Sequence, residues 1–85
     1  MTRLEKLETL IRIDEVIKSY EKQIDLINDT IKHRKNFNKM YPSLDNELTY
    51  VFKDEINKCE HNVDIYTRCI VRLNERFRKL VLTLK

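Results

Sequence analysis

Apolar residues recur along this chain at alternating steps of three and four, and that spacing admits one kind of secondary structure. Leu10, Ile13, Ile17, Tyr20, Ile24, Ile27 and Ile31 occupy seven consecutive seam positions of a heptad. Phe52, Ile56, Cys59, Val63, Tyr66, Ile70, Leu73, Phe77, Leu80 and Leu84 occupy ten more. A strand repeats every two residues and scatters such positions over both faces. A helix gathers them on one narrow stripe, the packing edge of a coiled coil. Both segments are therefore expected to be long helices.

The stripe fails between them. After Ile31 the next seam slots are Arg34 and Asn38, both polar. Pro42 removes a backbone donor and disfavours helical geometry at Tyr41. Ser43 is a candidate N-cap for the second helix, with Asp45 and Glu47 in its first turn complementing the helix dipole; Asp45 as the cap is the alternative. The expected layout is one domain over 1–85, with helix 1 at about 3–36, a turn at 37–43 and helix 2 at 44–84. At 1.5 Å per residue the helices are about 50 and 60 Å long. Folding back near residue 41 places Leu10 opposite Leu73, Ile13 opposite Ile70, Ile17 opposite Tyr66 and Tyr20 opposite Val63. The same register sets Ile24 against Cys59, Ile27 against Ile56 and Ile31 against Phe52, with Phe37, Met40 and Tyr41 closing the turn. The fold class expected is all-α, an antiparallel two-helix hairpin.

Composition narrows the available chemistry. The chain has no glycine, so a Walker-type phosphate loop, a dinucleotide fingerprint and a glycine-flanked nucleophile elbow are all excluded. Net charge is +3, well short of a dedicated nucleic-acid binder. The charge is uneven: −2 over residues 1–30, +1 over 31–60 and +4 over 61–85. Arg3, Glu5, Lys6 and Glu8 interrupt the N-terminal apolar residues, which argues against a signal peptide. No apolar run approaches membrane-spanning length. Cys59 and Cys69 lie on one helix at a separation of about 15 Å, too far to bridge, so reduced thiols in a cytoplasm are expected. Ile, Lys and Asn supply 26 of 85 residues and alanine is absent. That bias suggests an AT-rich genome, such as a low-GC bacterium, its phage or a large virus.

A two-helix hairpin hides one stripe per helix, and this chain has more apolar residues than that. Leu4, Leu7 and Ile11 form a second stripe about 100° from the first, with Val16 on the other flank. Val71, Val81 and Leu82 are also off the seam, and Phe77, Leu80 and Leu84 extend past the last clean pair. Leu26, Leu48, Val51, Ile65 and Cys69 are scattered off-seam elsewhere, and Tyr50 stands beside Val51 as a candidate interface residue. An apolar zone too wide for two helices calls for more of them. Self-association into a four-helix bundle, a homodimer, closes it by symmetry. The expected partner or dimer interface is Leu4, Leu7, Ile11, Phe77, Leu80, Val81, Leu82 and Leu84.

Chemical sites are sparse. Cys59 sits in the seam and His61 on the outer face of the same helix; with Cys69 and His33 they match no zinc spacing, and no metal or cofactor is expected. Ser19 and Ser43 lack a base and an oxyanion donor, so no enzyme is expected. Arg68, Arg72, Arg76 and Lys79 share one arc of helix 2 and are the candidate nucleic-acid contacts. Glu75 beside them and Glu5, Glu8 and Glu15 on helix 1 argue instead for a solvated, partly paired face. No aromatic platform accompanies the arginines. The sequence thus points to a non-enzymatic helical interaction protein that binds and modulates or inhibits a partner protein, with a nucleic-acid-binding regulator as the alternative.

Overall fold

A computed structural model describes residues 1–41 and 45–85, and the side chains of 1–37, 39–41 and 52–85. The chain is an all-α helical hairpin: α1 spans Arg3–Met40 and α2 spans Asp45–Leu82. The two pack along their length into a rod measuring 63 × 15 × 14 Å. With no glycine, nothing interrupts either helix internally.

The helix ends beside the chain termini are tied off by side chains. Thr2 is the N-cap of α1, extended at φ −73° and ψ 162°. Its hydroxyl oxygen accepts from the Glu5 amide at 3.2 Å, and the hydroxyl lies 3.2 Å from the Glu5 carboxylate, to which it donates. One orphan amide of the first turn is thereby satisfied, and the Glu5 charge complements the positive end of the helix. Thr2→Ala is expected to cost about 1 kcal/mol, visible as a lowered thermal midpoint by circular dichroism. At the opposite terminus Arg3 Nη1 donates to the Leu84 carbonyl at 3.3 Å and Lys6 Nζ to the Thr83 carbonyl at 3.3 Å. Two cations of α1 thus cover the negative end of α2, where carbonyls have no helical partner.

α1 runs four residues beyond its expected end at 36. Nothing in Asn36–Met40 opposes a helix; the proline constrains only the residue before it. Tyr41 is accordingly the first residue to leave, at φ −129° and ψ 60°, its amide still bonded to the Phe37 carbonyl at 3.1 Å. Four residues then separate the helices, a usual length for an αα-hairpin. The expectations for Pro42, Ser43, Leu48, Tyr50 and Val51, and for the Asp45 side chain as a cap, lie outside the described residues.

The longer first helix moves the register by one seam slot. Tyr20 stacks on Tyr66, with centroids 5.4 Å apart, rather than facing Val63. Arg34 lies over the Phe52 ring at 5.2 Å, and Arg3 reaches Leu84. Carried along the seam, this brings Leu10 level with Phe77, Ile13 with Leu73, Ile17 with Ile70, Ile24 with Val63, Ile27 with Cys59 and Ile31 with Ile56. Phe77 therefore does not run past the last pair, and Leu80 and Leu84 come level with Lys6 and Arg3. The polar slot at 34 is used, not skipped. Arg34 lays its stem along the seam and engages Glu55, with Nη2 donating to Oε1 at 3.4 Å and Nε lying 3.3 Å from Oε2. The Nε contact is electrostatic, outside hydrogen-bond alignment. Phe37 meets Phe52 edge-on at 5.6 Å and Tyr41 at 4.9 Å, which closes that end with aromatic packing.

Every seam position from Leu10 to Ile31 and from Phe52 to Leu84 is buried or half-buried. Among the described residues only Leu10, Ile13, Ile17 and Phe52 are deeply buried. Two helices cover each other on one side and leave the flanks of every seam residue open.

Candidate interaction surface at the open end

The hairpin has two broad faces, one on each side of the seam. A groove lined by Asp14, Ile17, Lys18, Glu21, Asn74 and Phe77 defines the first. Leu7 stands one heptad before Asp14, and Val81 one heptad after Asn74, so both lie on that same face nearer the chain ends. Leu4 and Ile11 share the stripe of Leu7. A second depression, lined by Asn74, Phe77, Arg78, Val81, Leu82 and Lys85, continues the surface along α2. Phe77, Val81 and Leu82 of α2 thus share one depression at the open end, and helical spacing sets Leu7, flanked by Leu4 and Ile11, on the α1 side of the same end. Leu4 is 66% exposed, Ile11 59% and Leu82 60%, values typical of charged surface residues rather than leucine or isoleucine. Val71, about three turns before Leu82 on the same stripe, is also exposed.

Two expected members fall elsewhere. Leu80 leans to the opposite face, where it lines a groove with Thr9, Arg76, Lys79 and Thr83. Leu84 stays in the seam, half-buried in the last turn with its carbonyl held by Arg3.

The basic stripe belongs to that opposite side. Arg76 and Lys79 edge the groove with Leu80, and Arg72 and Arg68 continue it up the helix, all exposed. Arg68 is held by Asp64 at 3.0 Å. Among the described residues no carboxylate lies within ion-pair distance of Arg72, Arg76 or Lys79, although Glu5, Glu8 and Glu15 were expected alongside. Both sides of the rod mix the two kinds of residue: Arg78 and Lys85 line the depression with Val81 and Leu82, and Leu80 lines the groove with Arg76 and Lys79.

Further charge lies where the first face leaves its apolar end. Lys18 Nζ sits 2.9 Å from Asp14, and that hydrogen bond, followed by the Asp14 charge, raises the ammonium pKa above its ordinary 10.5. A raised folded value adds stability below the unfolded pKa and loses it as pH rises through the folded one. Lys18 is exposed and Asp14 half-buried, so the pair marks the border of the apolar patch and does not hold the fold.

Cys59 and Cys69 are free thiols, half-buried on the same helix. Sequence reasoning overlooked Arg3, Lys6 and Arg34 as packing residues. The signal was present, since all three fall on the extrapolated heptad, but an apolar-only pattern ignores long cationic stems that can line a seam.

The class this geometry defines is an antiparallel helical hairpin with exposed apolar side chains at its open end. No family model matches the chain, and no match was found among curated proteins or solved structures. No helix among the described residues is long and apolar enough to cross a membrane.

Proposed function

We propose that this chain is a non-enzymatic helical interaction protein, which binds a partner protein by helix packing and so modulates or inhibits it, as small cytoplasmic proteins of phages and viruses do. The observation that supports the reading is the open-end face of Leu4, Leu7, Ile11, Phe77, Val81 and Leu82. It is apolar, wide enough to seat a helix, and left unfilled by the chain's own two helices. The complementary ligand is an amphipathic helix with aliphatic residues at i, i+3, i+4 and i+7. The hairpin's own helices have that pattern, so self-association into a four-helix bundle is part of the same reading.

A second reading keeps one specific observation in its favour: Arg72, Arg76 and Lys79 are exposed on one side of α2 without carboxylate partners among the described residues. Guanidinium groups at that spacing can follow a phosphate backbone, which would make the chain a nucleic-acid-binding regulator.

One experiment separates the two. The partner captured from the native host is purified and titrated against the wild-type chain, Leu4→Glu/Ile11→Glu and Arg72→Gln/Arg76→Gln/Lys79→Gln. Helix packing predicts a loss of about tenfold or more in the leucine–isoleucine variant, and little change in the glutamine variant. It also predicts an affinity nearly constant between about 50 and 200 mM salt. A steep fall with salt, together with loss of binding in the glutamine variant, overturns it in favour of the nucleic-acid reading.

A further inference from the structure

We infer that the open-end face is covered in the free protein by a second copy of the chain, packed side by side about a two-fold axis parallel to the rod, with the two open ends together. The inference rests on reading that end as a helix-packing surface. What it adds is the identity and direction of the packed helices.

Surface area supplies the first argument. A compact monomer of 10.4 kDa exposes about 5,400 Å² by the size scaling of folded proteins, whereas this chain exposes 6987 Å². The excess, about 1,600 Å², falls within the 1,000–2,500 Å² that each subunit of an obligate homodimer buries. It follows from the shape, a single two-helix layer 63 Å long and only 14–15 Å across. Domains close their cores with a second layer. A second hairpin provides one, and the four-helix bundle it makes is a standard packing solution.

Symmetry and charge supply the direction. The apolar residues of this face are confined to one end. Farther along, the same side of α1 carries Lys22, Asp25, Asp29 and Lys32, all exposed. If the second copy ran the opposite way, Leu4, Leu7 and Ile11 would cover those charges and strip their water without pairing them. A two-fold axis along the rod avoids this, because it sets apolar end on apolar end. It also lays each α1 across the partner's α2, antiparallel and in the register already used within the hairpin. Leu7 then comes level with the partner's Val81, and the contact is isologous and closes at two copies.

The test measures mass and orientation. Light scattering on the wild-type chain is expected to give twice 10.4 kDa. Leu4→Glu/Ile11→Glu changes two residues that the hairpin itself leaves open, so it is expected to keep its helical circular dichroism but weigh as a monomer. Ile65→Glu, on the opposite face, is expected to remain a dimer. Spin labels on Thr2→Cys, with Cys59 and Cys69 replaced by serine, are expected to lie close together across the dimer. A label separation near the 63 Å rod length overturns the orientation. A dimer that survives Leu4→Glu/Ile11→Glu but is broken by Ile65→Glu overturns the face. A monomeric wild type that binds an apolar dye, and loses it in Leu4→Glu/Ile11→Glu, overturns the second copy while sparing the helix-packing surface. A monomer with no dye binding overturns both.

Discussion

Ile13→Asp is expected to abolish the hairpin. Ile13 is 5% exposed, the most buried side chain described, in the layer level with Leu73. Removing an aliphatic side chain from such a site costs about 2–5 kcal/mol. The replacement carboxylate adds an unpaired charge in a seam that offers it no cation, and that penalty is of several kcal/mol more. A chain of this size has a total stability of about 4–13 kcal/mol, so the two effects together consume most or all of it. Far-ultraviolet circular dichroism should show the loss of most helical signal and of a cooperative melt. Ser19→Asp, on an exposed face of the same helix, is the control and is expected to change stability by less than about 0.5 kcal/mol. A cooperative melt retained by Ile13→Asp would mean that the seam does not hold the molecule together.

Phe52→Ala is expected to cost about 3–5 kcal/mol and to act at one end. Phe52 is 8% exposed and is the only deeply buried described residue of α2. Two contacts converge on its buried ring: Phe37, edge to face at 5.6 Å, and the Arg34 guanidinium at 5.2 Å. Truncation also leaves Arg34 with Glu55 alone, and a half-exposed ion pair is worth little by itself. Chemical denaturation should show the loss. Hydrogen exchange should place it, with faster opening at Arg34–Phe37 and Ile56 and little change at Leu10 and Phe77. A cost below about 1 kcal/mol would show that the aromatic cluster does not tie the helices together beside the turn.

The heptads were legible because a helix turns every 3.6 residues, whatever else is present. Seventeen apolar residues at seam spacing therefore define two helices and the side on which each buries its apolar groups. Tyr41 is where the backbone leaves the first helix, and its place before a proline is the sequence signal for that exit, because a residue preceding proline is disfavoured in helical geometry. Less legible was the behaviour of polar residues at seam positions. Arg34 reads as a break when counted by hydropathy. It packs because its methylene stem and planar head can lie on an aromatic ring while its charge reaches Glu55. Arg3 and Lys6 likewise read as interruptions of an apolar run, yet they cover the last carbonyls of the chain beyond α2.

The surface residues divide in the same way. Helical spacing alone sets Leu4, Leu7 and Ile11 on a stripe apart from the seam, and groups Arg68, Arg72, Arg76 and Lys79 on another. Spacing within one helix cannot say which stripe of the other helix lies beside it, since that depends on how the two rotate against each other. The grouping of Leu4, Leu7 and Ile11 with Val81 and Leu82 was already readable as an excess of apolar residues at the chain ends, but only the packed hairpin sent Leu80 to the side of Arg76 and Lys79 and kept Leu84 in the seam.

Register was decided in the same way. A heptad repeats, so a slip of one seam slot preserves apolar contact nearly everywhere, and the pattern has almost no preference between neighbouring alignments. What chooses is the length of the connection and the packing at the two ends. α1 extends to Met40, and the stacked tyrosines, the arginine over Phe52 and the clasp on Leu84 are all satisfied in one alignment. The periodicity of the chain dictated two helices and a reversal. Their alignment, and the face they leave uncovered, required three dimensions, because those depend on contacts between residues far apart in the chain.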